Sequence, residues 1–250
     1  MTHTPDIKRP PKEWSAALRE IGAATVSATL GHMGVRSPFM VGPTAHSPGK
    51  AIAGPALTLQ CMPKREDLHR DEEYADPETQ LHRHVLYHAQ AGDVVVVDAR
   101  GDMRSGIFGD MMLTYFLGRG GAGVVIDGCI RDFPKVQKLG IGLWLRGVTP
   151  NYHAQTDIIP FDVNVPVACG GVLVMPGDII VADDDGAVVV PVAMAEAVIE
   201  ESTKHAEWEE FSRERLFEGK DLRRYYPLHV DAEPEYHEWL RQKGRKPPMA

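Results

Sequence analysis

Apolar residues recur along this chain in two rhythms. Trp14, Leu18 and Ile21 fall at helical spacing, which predicts a helix over Lys12–Ile21. Thr25–Met33 reads as a second helix, with Thr25 or Ser27 near its cap. Leu81, Val85 and Leu86 give an inward face to a helix over Glu78–Ala91. Met194–Phe217 reads as a long helix and the last core element. Between these lie short apolar runs of a different kind. Ala51–Met62, Val94–Asp98, Val124–Asp127 and Leu143–Leu145 are almost continuously apolar. Strands of that type are buried on both faces. Val163–Val174 and Ile179–Val190 carry β-branched residues separated by turns, which predicts hairpins.

The polar stretches set the organisation. Residues 1–11 carry three prolines and read as an arm or loose lead-in, so residues 1–21 form an N-terminal arm and helix. Residues 22–217 are expected to be a single domain. Pro63–Pro77 is strongly charged and reads as an exposed loop, longer than a plain connection needs. Residues 218–250 form a charged tail that still contains Tyr225, Tyr226, Tyr236 and Trp239. Disordered segments are poor in aromatics, so this tail is expected to pack on the core or on a neighbouring subunit. There is also a faint internal echo between Gly92–Asp98 and Gly177–Asp183, for which a chance repeat is the favoured reading.

The richest stretch runs from Gly106 to Asp132. A Gly-rich turn opens at Gly109 into Asp110-Met111-Met112 and a short helix. A glycine-dense turn and a buried strand follow, ending in Asp127-Gly128-Cys129-Ile130-Arg131-Asp132. A helix N-terminus presents unpaired N–H groups to an anion. Arg131 offers a planar fork to a carboxylate, and Asp132 is a hard oxygen donor suited to Mg²⁺ or Mn²⁺. Each residue also has a plain structural reading, Asp110 as a helix N-cap and Arg131–Asp132 as a surface ion pair.

Composition narrows the class. A 43% hydrophobic and 25% charged chain is a globular protein, and 250 residues suffice for one large domain or two small ones. A formal net charge of -8 argues against nucleic-acid binding. Three scattered cysteines, Cys61, Cys129 and Cys169, show no metal spacing and read as reduced, buried thiols of a cytoplasmic protein. No apolar run suggests a signal peptide or a membrane span.

Several motifs are weaker than they look. Gly118–Gly123 fits G-x-G-x-x-G, but here a helix precedes it and a strand follows, the reverse of a dinucleotide site. His84 and His88 share a helical face without a third ligand, so a solvated face is preferred to a zinc site. Arg100-Gly101-Asp102 carries no weight as an adhesion tripeptide. No lysine sits in the apolar strand that a Schiff-base enzyme needs.

Gly109-Asp110-Met111-Met112 followed by Asp127-Gly128-Cys129-Ile130-Arg131-Asp132 resembles the signature of the RraA-like family, which includes class II pyruvate aldolases. Gly54–Thr58, Gly92–Asp98, Gly170–Asp178 and Asp183–Pro191 are similar to further family strands, and together they span residues 22–200. The resemblance implies an α/β fold, a compact β/β/α sandwich of the swivelling-domain type. It also implies a homotrimer or homohexamer with sites at subunit interfaces. The activity it implies is cleavage of a 4-hydroxy-2-oxo acid to release pyruvate, with oxaloacetate decarboxylation on the side. Asp132 would then hold Mg²⁺ or Mn²⁺. Arg131 would grip substrate oxygens, and Asp110 would hold water. Gly109 and the N–H groups of Met111 and Met112 would receive the pyruvyl carboxylate. The alternative it carries is a non-catalytic regulator that binds RNase E. Where relatives carry an acid in an S-D-A-L pattern, this chain has Ala28.

Overall fold

The computed structural model describes residues 4–67, 69, 76–152 and 157–245. They divide into two compact units, Met1–Ile199 and Glu200–Ala250. The first unit opens with α1 (Lys12–Ile21) and α2 (Ala23–His32). The short β1 (Thr44–Ala45) and the long β2 (Ile52–Pro63) follow. Then come α3 (Leu81–Tyr87), β3 (Val94–Gly106), α4 (Asp110–Gly118), β4 (Gly123–Ile130), α5 (Phe133–Val136) and β5 (Gly142–Val148). Five shorter strands complete it: β6 (Ile158–Val163), β7 (Val167–Cys169), β8 (Val172–Val174), β9 (Ile179–Asp183) and β10 (Gly186–Val190).

β2, β3, β4 and β5 are parallel neighbours, and β1 closes the outer edge of β5. The free edge of β2 is long enough for two partners. Its first residues pair antiparallel with β9, and its last pair antiparallel with β6. Residue parity then separates the two faces. Leu57, Leu59, Val95, Val97, Val124, Ile126, Leu143 and Leu145 pack with Val85, Leu86, Leu113, Phe116 and Val136 of the helices. Ala56, Val94, Val96, Val125 and Trp144 face Val167, Cys169, Val172, Val174, Ile180 and Ala182 of the later strands. The outer side of β9 and β10 is covered by Leu18, Val26 and Leu30 of α1 and α2. The central strands are therefore sandwiched between helices and a second β layer, which is why they read as unbroken apolar runs. Each valine buried this way contributes about 1.5–3 kcal/mol. This is a mixed α/β arrangement, as the sequence resemblance implies.

Three details correct the sequence reading. The N-terminal arm is not loose. Arg9 pairs with the fully buried Asp93 at 2.8 Å and donates to the His88 carbonyl, while Asn164 donates to the Pro5 carbonyl. The α3 histidines do not form a solvated face, because His82 and His84 are both buried and His84 Nε2 lies 2.8 Å from the Glu78 carbonyl. β3 does not stop at Asp98 but continues, with two register shifts, to Gly106.

The internal echo builds the same turn twice. Gly92 has φ 95° and Gly177 φ 90°. Asp93 and Asp178 each donate an N–H to the carbonyl three residues back, Gln90 and Met175. Each carboxylate then accepts that same residue's N–H, at 2.8 Å and 2.9 Å. Each also has a further partner, Arg9 for Asp93 and the Val192 N–H for Asp178. A buried Asp after a positive-φ glycine thus precedes both β3 and β9, two of the strands that pair with β2.

The helix α6 (Ala195–Phe217) runs into the second unit, which also holds α7 (Leu222–Tyr225) and α8 (Glu233–Gln242). Phe211, Tyr225, Tyr236, Trp239 and Leu240 form its own aromatic core. The Trp239 indole donates to Glu214, and Arg245 pairs with Glu210 across the same helices. Tyr225, Tyr236 and Trp239 are therefore accounted for by packing inside this unit, while Tyr226 is exposed.

Candidate functional site

The site is assembled where the C-terminal end of β4 meets the N-terminus of α4. The loop between β3 and α4 is zipped onto the end of β4, because the Ile107 N–H donates to the Cys129 carbonyl and the Arg131 N–H to the Phe108 carbonyl, both at 3.0 Å. The Gly106 N–H donates to the Asn151 carbonyl beyond β5, which brings Tyr152 alongside. These backbone bonds place Gly109 against Arg131 and Asp132.

Gly109 is the N-cap of α4, and no side chain caps the helix. Asp110 is therefore the first helical residue and not the cap that one sequence reading allowed. The Leu113 N–H is taken by the Gly109 carbonyl, so the N–H groups of Asp110, Met111 and Met112 are the unpaired donors of this helix end. The side chains of Met111 and Met112 line a cleft with Arg83, Leu86, Tyr87 and Tyr115.

Asp132 sits in the left-handed region at φ 58° and caps the short α5, where its carbonyl accepts the N–H groups of Lys135 and Val136. Its carboxylate is part-exposed and lies 3.6 Å from Arg131 Nε. That separation is an electrostatic contact and exceeds a hydrogen bond. The Arg131 guanidinium lies 6.0 Å from the Tyr152 ring centroid, in cation–π range. A Cβ added to Gly109 would stand 2.7 Å from Asp132 Oδ2 and 3.0 Å from Arg131 Nε. The absent side chain of Gly109 thus leaves a cradle bounded by a carboxylate, a guanidinium and a helix N-terminus.

The donor set suits one kind of cation. Among the described residues, no three His, Cys, Asp or Glu side chains converge. A closed zinc site is therefore not built from them. A single part-exposed carboxylate beside an open cradle fits a hard cation that keeps waters and takes ligand oxygens.

All of the expected site residues come together: Gly109, Asp110, Met111, Met112, Arg131 and Asp132. Lys135 and Tyr152 are additions that sequence reasoning missed. Lys135 Nζ lies 3.4 Å from Asp110 Oδ2, across the cradle from α5. Its position three residues past Asp132 on a helical turn was the available signal. Tyr152 had none, since a long connection separates it from the motif. Ala28, the residue that departs from the family pattern, lies exposed on α2.

A second charged set lies nearby on the inner face. Asp98 of β3, Asp127 of β4 and Arg146 of β5 each continue the inward-facing column of their strand. Asp127 is buried, pairs with Arg146 and accepts the Gly170 N–H. Burial pushes the Asp98 carboxyl up from its ordinary value, against opposing N–H bonds from Arg100 and Ala168. The buried Cys129 thiol is raised for the same reason, which leaves it a poor nucleophile.

The fold is thus a mixed α/β sandwich that sets an Arg–Asp pair beside a helix N-terminus with no side-chain cap. Residues 23–189 match the RraA-like family, described as Aldolase/RraA, and the chain belongs to that family. It is similar to a protein of Halalkalibacterium halodurans named "Putative 4-hydroxy-4-methyl-2-oxoglutarate aldolase", with 41% identity over 119 residues. That match spans 48% of this chain and 56% of the relative. The chain thus spans little more than half the length of that relative. Among solved structures it is similar to Streptomyces coelicolor RraAS2, described as an unusual member of the RNase ES inhibitor RraA protein family. There the identity is 47% and the TM-score 0.77, covering 83% of this chain and all of the other. The RNA-processing inhibitor RraA from Thermus thermophilis is 26% identical with a TM-score of 0.51, covering 66% of this chain and 92% of the other. No helix among the described residues is long and apolar enough to cross a membrane.

Proposed function

We propose that this protein is a divalent-metal-dependent aldolase that cleaves a 4-hydroxy-2-oxo acid and releases pyruvate. The observation that carries the reading is the cradle at Gly109, where Asp132, Arg131 and the α4 N-terminus converge. A 2-oxo acid offers a carboxylate and an adjacent carbonyl oxygen, the pair of acceptors that such a cradle matches. The name of the Halalkalibacterium relative points the same way.

The N–H groups of Met111 and Met112 receive the pyruvyl carboxylate, aided by the helix dipole. Arg131 donates to the oxygens at the reacting end and stabilises the negative charge that grows there. Asp110 holds a water that takes the proton from the C4 hydroxyl as the C3–C4 bond breaks and its electrons move toward the 2-oxo group, and the same water returns that proton to C3 to give pyruvate. A hard cation on Asp132, Mg²⁺ or Mn²⁺, supplies a Lewis acid for the 2-oxo oxygen when bound. Decarboxylation of oxaloacetate develops the same charge at the same place, so that activity accompanies the aldol cleavage.

The likeness to RraAS2 favours a second reading, a regulator that acts by binding a ribonuclease. The two differ in what they require of Asp132. The deciding assay measures pyruvate release from 4-hydroxy-2-oxo acids and oxaloacetate with Mg²⁺, with Mn²⁺ and after EDTA, for the wild type and Asp132→Ala. Metal-dependent turnover that disappears in the variant is the expected result. Full activity in chelator, or turnover retained by Asp132→Ala, overturns the metal role. A wild type inert on every substrate leaves the regulator.

A further inference from the structure

We infer, resting on the aldolase reading above, that Tyr152 is a positioning residue for Arg131, whose guanidinium it holds with the N–H edge toward the cradle.

Arg131 needs such a holder. Its side chain is 43% exposed, and among the described residues its guanidinium makes no hydrogen bond. Asp132, 3.6 Å from Nε, is its own chain neighbour and fixes one point of a long side chain. A planar fork grips two oxygens only when its plane is set. The Tyr152 ring, with its centroid 6.0 Å from the guanidinium carbon, supplies the second point. An aromatic ring attracts a guanidinium without using its N–H donors, which stay available for a ligand. A carboxylate or a carbonyl in the same place would occupy them.

Backbone bonds bring Tyr152 to this place from beyond β5. The Thr149 N–H donates to the Ile130 carbonyl at 3.0 Å, directly before Arg131, and the Gly106 N–H to the Asn151 carbonyl at 3.1 Å. The Asn151 N–H donates to the Thr149 hydroxyl at 3.4 Å, which tightens the turn. Gly106 permits the close approach, because an added Cβ would clash with the Asn151 carbonyl and stand 2.8 Å from Arg131 Cβ. Tyr152 itself is exposed and belongs to none of the buried clusters of the first unit. Its ring is therefore not a core residue, and the connection carries it to the face of Arg131.

The test measures turnover and binding in the full-length protein for wild type, Tyr152→Leu and Tyr152→Phe, each also combined with Arg131→Lys. Oxalate in Mg²⁺ is the calorimetric probe, an unreactive planar dianion whose oxygens match the carboxylate and the 2-oxo group of the substrate. Tyr152→Leu should lower kcat on a 4-hydroxy-2-oxo acid by about tenfold, because a misplaced group beside the reacting atoms costs more than its own contact. KM should move much less, since Arg131 acts on charge that grows in the transition state. The Mg²⁺ concentration for half-maximal activity should hold, because Asp132 is set by its own turn at φ 58°. Oxalate binding should weaken about as far as kcat falls, and Tyr152→Phe should recover most of both losses. In the Arg131→Lys protein, Tyr152→Leu should cost little more, because the partner is already gone. A loss of equal size in both backgrounds, or in neither, overturns the assignment, as does a Mg²⁺ requirement that rises in step with the fall in kcat. Wild type that turns over no substrate yet shows this pattern with oxalate overturns the aldolase reading and keeps Tyr152 as the holder of Arg131. Wild type that neither turns over substrate nor binds oxalate overturns both.

Discussion

Gly109 shows how a single absent atom defines the site. Its φ of -116° is ordinary extended backbone, so alanine fits there without strain. The added methyl would meet Asp132 Oδ2 at 2.7 Å and Arg131 Nε at 3.0 Å, both ends of flexible side chains that swing away. Gly109→Ala should therefore spare the fold and damage the site. Pyruvate release should fall about tenfold or more, equivalent to about 1.4 kcal/mol of transition-state stabilisation. Stability should change by only a few tenths of a kcal/mol to about 1 kcal/mol, the range for N-cap replacements. Kinetics and a melting curve on one preparation check both. Unchanged kinetics would mean that Arg131 and Asp132 do not work through this space. At this scale the motif was legible because Gly109, Arg131 and Asp132 lie within one strand–turn–helix stretch. Lys135 and Tyr152 were not, because their roles depend on where α5 and the connection after β5 return.

At the scale of elements, the long apolar runs announced the central strands, and the flanking polar residues explain the failures. His82 and His84 look like solvent-facing residues, yet α3 lies against the sheet and buries both. The continuation of β3 past Asp98 was hidden because Arg100-Gly101-Asp102 reads as a turn, and it does depart from the regular ladder there. Two carboxylates within β3 and β4 hold the β7–β8 hairpin, Asp98 through the Ala168 N–H and Asp127 through the Gly170 N–H. Burial raises the Asp98 carboxyl above its ordinary 3.8, so the folded protein binds this proton more tightly than the unfolded chain. The stability that this contributes is fully present below the ordinary value and is lost as pH rises through the raised one. Asp98→Asn does not titrate. Denaturant melts of both proteins should thus show the wild type losing ground to Asp98→Asn as pH rises above the ordinary carboxylate value. The reverse trend would mean that Arg100 and the two N–H bonds outweigh burial and favour the ionised form.

For the whole molecule, the division into two units separates the chemistry from the tail. Every residue of the cradle belongs to the first unit, and the family match over 23–189 also ends within it. The second unit carries its own core, in which Trp239 is 5% exposed and packs with Phe211 and Tyr236. Its indole N–H donates to Glu214 at 2.7 Å, and the Lys243 ammonium lies 5.0 Å from its ring. The sequence signalled this order through its aromatics but not the partner, because the second half of α6 reads as a continuation of the preceding core helix. Trp239→Ala removes the largest side chain of a small core and should cost about 3–5 kcal/mol there. Calorimetry should show one transition lowered and the other in place, while pyruvate release stays within about twofold of wild type at a temperature below both. A single transition that moves as a whole would show the units to be one cooperative body. Turnover lost at a temperature where both units remain folded would show that the cradle depends on the tail, and the division of labour drawn here would not hold.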